Sequence, residues 1–367
     1  MEKALEGLRV VELAGIGPSP HAAMLLADLG ADVVRVERPG GVTELVPPDK
    51  DSVLRNRRSV NADLKDPAGL AQALALIDRA DVVLESYRPG VAERLGIGPN
   101  VCTARNPRLI YARITGWGQS GPLAAYAGHD INYLALSGAL NAIGREGDKP
   151  LAPLNLVADL GGGSMPAVLG ILAALHSRTR TGAGQVLDIA MIDGVSTLMA
   201  MYWTLTENGQ WSTRGTNVLD GGAPFYDTYE CADSGYVAVG AIEPGFYAQL
   251  LEGLGLDRSE LSEQYDRTGW ARMRDRFAEI FRTRTRAEWV AVYETLDACV
   301  TPVLSLAEVP EHPHIRVRDT VIEAFGQRQP AATPRFSDAP AATYTAPRVP
   351  GADSRSVFHD WGIDSMP

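Results

Sequence analysis

Four short β-branched runs in the first third of the chain constrain its fold most: Leu8 to Ala14, Asp32 to Glu37, Asp81 to Glu85 and Leu109 to Ile114. Each is four to eight residues long and bounded by glycine, aspartate or charge, which reads as a strand. Alanine- and leucine-rich segments lie between them. His21 to Leu29 reads as a helix that Gly30 ends, and Gly69 to Arg79 as another. Strands that alternate with helices at this spacing predict a parallel, doubly wound, Rossmann-like sheet with helices on both faces.

Two more helices are expected in the middle of the chain. One opens at Gly128-His129-Asp130 and carries Ile131, Leu134, Leu136 and Leu140. The other follows Asp159-Leu160-Gly161-Gly162-Gly163, with Ser164 as its cap and Pro166 in the first turn. Val186 to Met191 reads as a short buried strand and Met199 to Asn208 as a helix. Beyond Gly221, Phe225 to Glu230 and Tyr236 to Ala241 flank a turn and predict a β-hairpin. Helical patterns follow near Gly245–Gly253, Trp270–Arg282 and Arg286–Asp297. This is a separate, smaller α+β module. The end of the chain, with Pro330, Pro334, Pro340, Pro347 and Pro350, is expected to lie extended along a surface rather than to form a core helix.

The expected organisation is a large α/β domain over 1–190 that takes back 330–367. A linker spans 191–222, the small α+β domain 223–318, and a second linker 319–329.

Composition narrows the partners. With 45% hydrophobic and 22% charged residues the chain is expected to fold rather than stay disordered. Lys and Arg number 34 against 45 Asp and Glu, a net charge of −11, which would repel a nucleic-acid backbone. The three cysteines, Cys102, Cys231 and Cys299, form no disulfide framework and no CxxC ligand pair. No signal peptide, lipidation box or run of about 18 apolar residues is read, so a cytoplasmic, membrane-free protein is expected. The six histidines include no His-x-x-x-His pair, so no metal site is expected.

One tempting motif fails. Gly15-Ile16-Gly17, with Glu37 after the next strand, has the layout of a dinucleotide loop. But Pro18 and Pro20 stand where the helix should present N–H groups to a pyrophosphate, and no third glycine follows. NAD binding is not expected.

His129 and Asp159 each sit at a predicted helix mouth. Either one alone would ordinarily be a capping residue. Together they make a plausible acid/base pair, and the three glycines after Asp159 suit a place where backbone must approach something closely. Glu243 follows the hydrophobic strand Tyr236–Ile242 and precedes Pro244; it reads as a solvated carboxylate or as a cap of the next helix, and a functional role needs a partner that spacing does not supply. Arg35, Arg38, Arg55, Arg57, Arg58, Lys65, Arg88 and Arg94 concentrate positive charge in an acidic chain. Some are solvated surface charges. Others could grip a phosphorylated ligand.

Taken together, the segments LRVVELAGIGPSPHAAMLLADLGADVVRVERP, LRNRRSVNADLK, LESYRPGVAERLGIG, ITGWGQSGPLAAYAGHDINYLALSG, LNLVADLGGGSM and GAIEP resemble the racemase branch of the family III CoA-transferase superfamily. The resemblance runs through essentially the whole chain, less closely after about residue 305. It implies the family III CoA-transferase fold and a homodimer whose subunits interlock like chain links. It implies racemisation at C2 of 2-methylacyl-CoA thioesters, by two-base proton transfer through an enolate. His129 and Asp159 are then the two bases, Glu243 the partner that orients His129 from the other subunit, and the Asp130 backbone N–H the enolate donor. Arg38, Arg58, Lys65, Tyr87, Arg88 and Arg94 are the implied CoA contacts. No cofactor is implied, CoA being part of the substrate. The alternative on the same fold is a CoA-transferase, in which Asp159 is a nucleophile that forms an acyl anhydride; it has no use for a proton-shuttling His129.

Overall fold

The structure is a computed structural model that describes residues 3–40, 46–338 and 343–363. Its chain divides into two compact units. The first comprises Met1–Ser137, Leu154–Leu198 and His314–Pro367, the second Gly138–Pro153 and Met199–Pro313.

The first unit is built on six parallel strands: β1 (Arg9–Leu13), β2 (Asp32–Glu37), β3 (Arg57–Asn61), β4 (Val82–Glu85), β5 (Ile110–Thr115) and β6 (Gln185–Ala190). Their order is β3-β2-β1-β4-β5-β6. The order reverses between β1 and β4, which pair in parallel through Val10–Val82 and Val11–Val83. Alternation along β1 sends Val10 into one apolar layer and Val11 and Leu13 into the other. The first layer is covered by α1 (Pro18–Asp28) and by the later helix α4 (Met165–Thr181); the second is covered by α2 (Pro67–Ile77). The doubly wound expectation holds.

β3 went unrecognised in the sequence because Arg57-Arg58-Ser59 does not read as an interior strand. The charges are neutralised inside. Glu12 of β1 is fully buried and accepts from Arg35 and Arg57, at 2.6 Å each. Arg35 also pairs with Glu37 at 2.8 Å, and Arg55 grips Asp28 through two bonds. Buried arginine charges of this kind are tolerated when carboxylates pair with them, and Arg35, Arg55 and Arg57 of the basic cluster are spent in this way.

Three further expectations need correction. The Gly15–Pro20 loop ends sooner than read, because α1 begins at Pro18. Prolines fit its first turn, where no N–H is needed for the helix. The run Val186 to Met191 is not buried throughout: β6 is an edge strand, and Val186 is exposed. The prolines do not keep the chain's end out of the core either. After Pro350 a short helix, Ser354–Asp360, sets Val357 and Phe358 into the second layer, with Trp361 just beyond it. Pro340 lies outside the described residues.

A continuous helical stretch runs from Leu156 to Thr181 and is long and apolar enough, by length and composition, to cross a membrane. The expectation of no such run overlooked how far its glycines and alanines carry it. In this fold Ala167, Val168, Ile171 and Ala174 pack one face of that stretch into the first layer.

The second unit has a three-stranded antiparallel sheet: β7 (Tyr226–Glu230), β8 (Tyr236–Gly240) and β9 (Val300–Pro302), in that order. The hairpin is as expected. The helices Pro244–Leu254, Trp270–Phe281 and Arg286–Tyr293 cover it around Phe225, Tyr229, Tyr247, Trp270, Phe277, Phe281 and Trp289.

Candidate active site

In open α/β sheets the crevice beyond the strand ends, where the order reverses, is the place a ligand binds. Here it lies beyond β1 and β4. The residues after these two strands touch so closely that a Cβ on Gly15 would overlap the Ser86 hydroxyl. From β1 the chain passes Gly15-Ile16-Gly17 into α1; from β4 it passes Ser86, Tyr87 and Arg88.

Asp159 comes to this point on an unexpected element. Residues Leu156–Ser164 form a π-helical turn that runs straight into α4. Ser164 is therefore not an N-cap, and Asp159 is not one either: it lies within the helical turn. π-turns are rare and tend to occur at functional sites. Close packing accounts for the glycines after Asp159. A Cβ on Gly162 would lie 2.9 Å from the Met191 carbonyl, and one on Gly163 2.9 Å from the Pro18 ring. The facing helix, α5 (Met191–Leu198), presents Gly194 to the Gly162 backbone. Gly17, with φ of +70°, brings its backbone against the Asp159 carboxyl, where a Cβ would sit 3.3 Å from Oδ2. Sequence reading weighed Gly17 only for a nucleotide and missed this contact. Its signal was a glycine followed by proline at a strand end, a sharp turn that lets backbone reach the site.

Burial pushes the Asp159 carboxyl above the ordinary carboxylate range. The Asn155 side chain, donating to Oδ2 at 3.2 Å, works against that shift; the Asp130 charge adds to it; and a charged His129 would oppose it. His129 and Asp159 are thus within electrostatic reach of each other. His129 is exposed and stands at the N-cap of α3 (Asp130–Leu136), where its backbone N–H donates to Asn132 Oδ1 at 3.0 Å. Behind it, Tyr133 donates to the Gly128 carbonyl at 2.5 Å and meets Trp117 edge-on. Burial, with Asp159 second, raises the Tyr133 phenol to about 12.

Of the implied CoA contacts, Arg88 is exposed and acts electrostatically on Tyr133. Tyr87 is half-buried against the second apolar layer, and its backbone N–H donates to the buried Glu85 at 2.5 Å. Burial drives Glu85 up to about 7, with Arg113 pulling the other way. Arg94 and Lys65 are exposed, as is Arg38 just beyond β2. Arg58 is differently placed. It forms two bonds to Asp32, at 3.1 and 2.6 Å, and a third to Asp360 at 2.7 Å, which ties the chain's terminal helix to the β2–β3 edge. Glu243 belongs to the second unit, exposed ahead of the helix Pro244–Leu254. No group of three or more His, Cys, Asp or Glu suited to a metal occurs among the described residues.

A doubly wound six-stranded sheet with a carboxyl and an imidazole at its switch point, joined in one chain to a small α+β unit, defines a class, and comparison with known sequences identifies it. The signature of CoA-transferase family III matches residues 5–354, and the chain belongs to that family. Within it, the chain is 49% identical over 363 residues to the human alpha-methylacyl-CoA racemase, a match that covers 98% of this chain and 94% of the human one. It is 33% identical over 380 residues to the succinyl-CoA:mesaconate CoA-transferase of Haloarcula marismortui, covering 97% and 94%. A CAIB/BAIF family protein from Brucella suis has a similar solved structure, with a TM-score of 0.83 and 27% identity over 98% of this chain and all of that one.

Proposed function

We propose that this chain is an isomerase that racemises 2-methylacyl-CoA thioesters at C2. The observation that carries the reading is the juxtaposition of His129 with an Asp159 whose carboxyl is held toward its protonated form. The 49% likeness to the human racemase supports the same branch of the family.

The chemistry asks for a base on one face of the α-carbon and an acid on the other, in opposite protonation states. In one direction a neutral His129 takes the α-proton. The C–H electron pair moves into the thioester as an enolate, and Asp159 delivers its proton to the opposite face. The reverse direction begins with an ionised Asp159 and a protonated His129. The enolate oxygen needs a fixed donor. We assign that role to the Asp130 backbone N–H, which at the first position of α3 has no partner one turn back. No cofactor enters these steps.

We further propose that Arg88, beside Tyr133, contacts the CoA moiety, with Tyr87, Arg94, Lys65 and Arg38 around it. The two ion-pair partners of Arg58 leave it the least able to take a phosphate. Arg88→Ala should raise KM for the acyl-CoA while leaving kcat nearly unchanged; an unchanged KM would place CoA elsewhere.

An interlocked homodimer is part of the proposal, with Glu243 of the partner subunit orienting His129. It is supported by the outer face of α4, where Met165, Leu169 and Leu172 are exposed, Leu169 at 70%. A helix apolar on both faces belongs inside an assembly. Sedimentation at low concentration should find only dimer; a folded, active monomer would overturn it.

The deciding experiment uses one epimer of a 2-methylacyl-CoA in deuterated water. The expected result is epimerisation with deuterium at C2 and no need for an acceptor acid. The opposing result is CoA transfer to an added carboxylic acid without α-exchange, together with an adduct on Asp159 that hydroxylamine cleaves. That result would make the protein a transferase.

A further inference from the structure

The Asp130 side chain is buried, with 6% of the residue exposed, and it points away from water into the π-helical turn. Oδ2 accepts from the backbone N–H groups of Ala158, at 2.8 Å, and of Asp159 itself, at 2.9 Å. Oδ1 is buried with no hydrogen-bond partner, and no cation pairs with the carboxyl among the described residues. Leaving a carboxylate oxygen without a partner in the interior costs stability. The fold nonetheless keeps an acid here, where an asparagine could accept the same two bonds.

We propose that Asp130 is a positioning residue for Asp159: its buried carboxyl fixes the backbone that carries Asp159 through two hydrogen bonds, and its unpartnered Oδ1 keeps an acidic group beside the acid. The inference rests on the racemase reading above and deepens it. One side chain ties where the acid stands to whether it carries a proton.

Burial is the first cause that raises the Asp159 carboxyl, and Asp130 is the charge that adds to it. Asp159 also feels His129, which acts in the opposite direction, and it feels Asn155 through a hydrogen bond. Tyr133 lies close enough for Asp159 to raise its phenol, and Arg88 acts on Tyr133 from the β4 side. From the turn before α1, Gly17 lies against the carboxyl, and Pro18 at the head of α1 packs on Gly163; both are uncharged. His21 of the same helix hydrogen-bonds Ser164 at 2.7 Å, at the far end of the π-turn. From α5 the contacts are Met191, Gly194 and Val195, and the one acidic residue of that helix, Asp193, is exposed.

The test compares Asp130→Asn, Asp130→Ser and Asp130→Ala with the wild type, each first checked for a cooperative thermal transition. The asparagine keeps an acceptor for both amides and loses the charge. The pair His129–Asp159 is productive with one shared proton, so activity falls on the acid side as a second proton arrives. Without the Asp130 charge the pair holds that proton less well. The acid limb of kcat/KM should therefore move to lower pH in Asp130→Asn and Asp130→Ser. Asp130→Ala, which also frees both amides, should lose roughly ten- to hundredfold in kcat with KM little changed, the scale of an acid displaced by about an ångström. A second readout needs no substrate: the infrared band of the protonated Asp159 carboxyl, identified by its loss in Asp159→Asn, should titrate at lower pH in Asp130→Asn. A band and an acid limb both unmoved in the neutral variants would reduce Asp130 to a structural residue and overturn the proposal. If the wild type shows no α-exchange, the racemase reading fails, and the infrared titration still decides the role of Asp130.

Discussion

Replacing His129 or Asp159 with alanine is expected to abolish epimerisation in both directions, by about 10²–10⁴-fold or more, the range of a single general acid or base. The two losses should be of similar size, because inversion needs both faces of the α-carbon and neither group can serve both. They should not add in the double variant, since the two residues act as one unit. The variants should still bind acyl-CoA. Deuterium uptake separates the roles further: a variant that keeps one base can still exchange the α-proton on that face with retention. Each single variant is therefore expected to show residual exchange of one epimer only. Glu243→Gln should be milder than His129→Ala, because an amide can still hydrogen-bond the imidazole. Normal epimerisation by either alanine variant would remove that residue from the site.

Gly194→Ala carries the second large effect, and it lies on no reacting group. A Cβ at Gly194 would overlap the Gly162 carbonyl oxygen and stand 2.6 Å from its carbonyl carbon. Both neighbours are backbone, so no side chain can turn away. Either α5 or the π-turn must shift. Overpacking of this kind costs about 1–3 kcal/mol, which in a large domain lowers Tm by roughly 2–4 °C per kcal/mol. The π-turn carries Asp159 three residues before Gly162, so its displacement should also cut kcat, again by as much as ~10²-fold for an ångström of misplacement. Thermal unfolding and steady-state kinetics on the same preparation check this. An unchanged Tm and kcat would show that the two helices have room to separate.

The outer surface of α4 bears on how firmly the site is held. Its inner face is locked into the first apolar layer by Ala167, Ile171 and Ala174, whereas Met165 and Leu169 are exposed. In the proposed dimer that outer face is covered, and the π-turn at its head becomes part of a buried element.

The sequence by itself determined the architecture of the first unit and singled out the two residues proposed as the acid/base pair. β1, β2, β4 and β5 are rich in valine, leucine and isoleucine because parallel strands are buried on both faces, and such runs are legible one segment at a time. The hairpin of the second unit was legible for a related reason: its turn residues are local. His129 and Asp159 stood out by residue type and by their neighbours, Gly128 and the glycines after Asp159. What the sequence could not decide is where opposite charges meet. β3 was hidden because its Arg57 is paired with Glu12, 45 residues distant, and its Arg58 with Asp32 and with Asp360 near the other end of the chain. The π-turn was hidden as well. Its shape depends on Gly194 and Pro18 approaching Gly162 and Gly163 from other elements, and on Asp130 capping the Asp159 amide across 29 residues. Apolar periodicity is a local property and can be read along the chain; charge pairing and backbone contact between elements come into being only when the chain has folded.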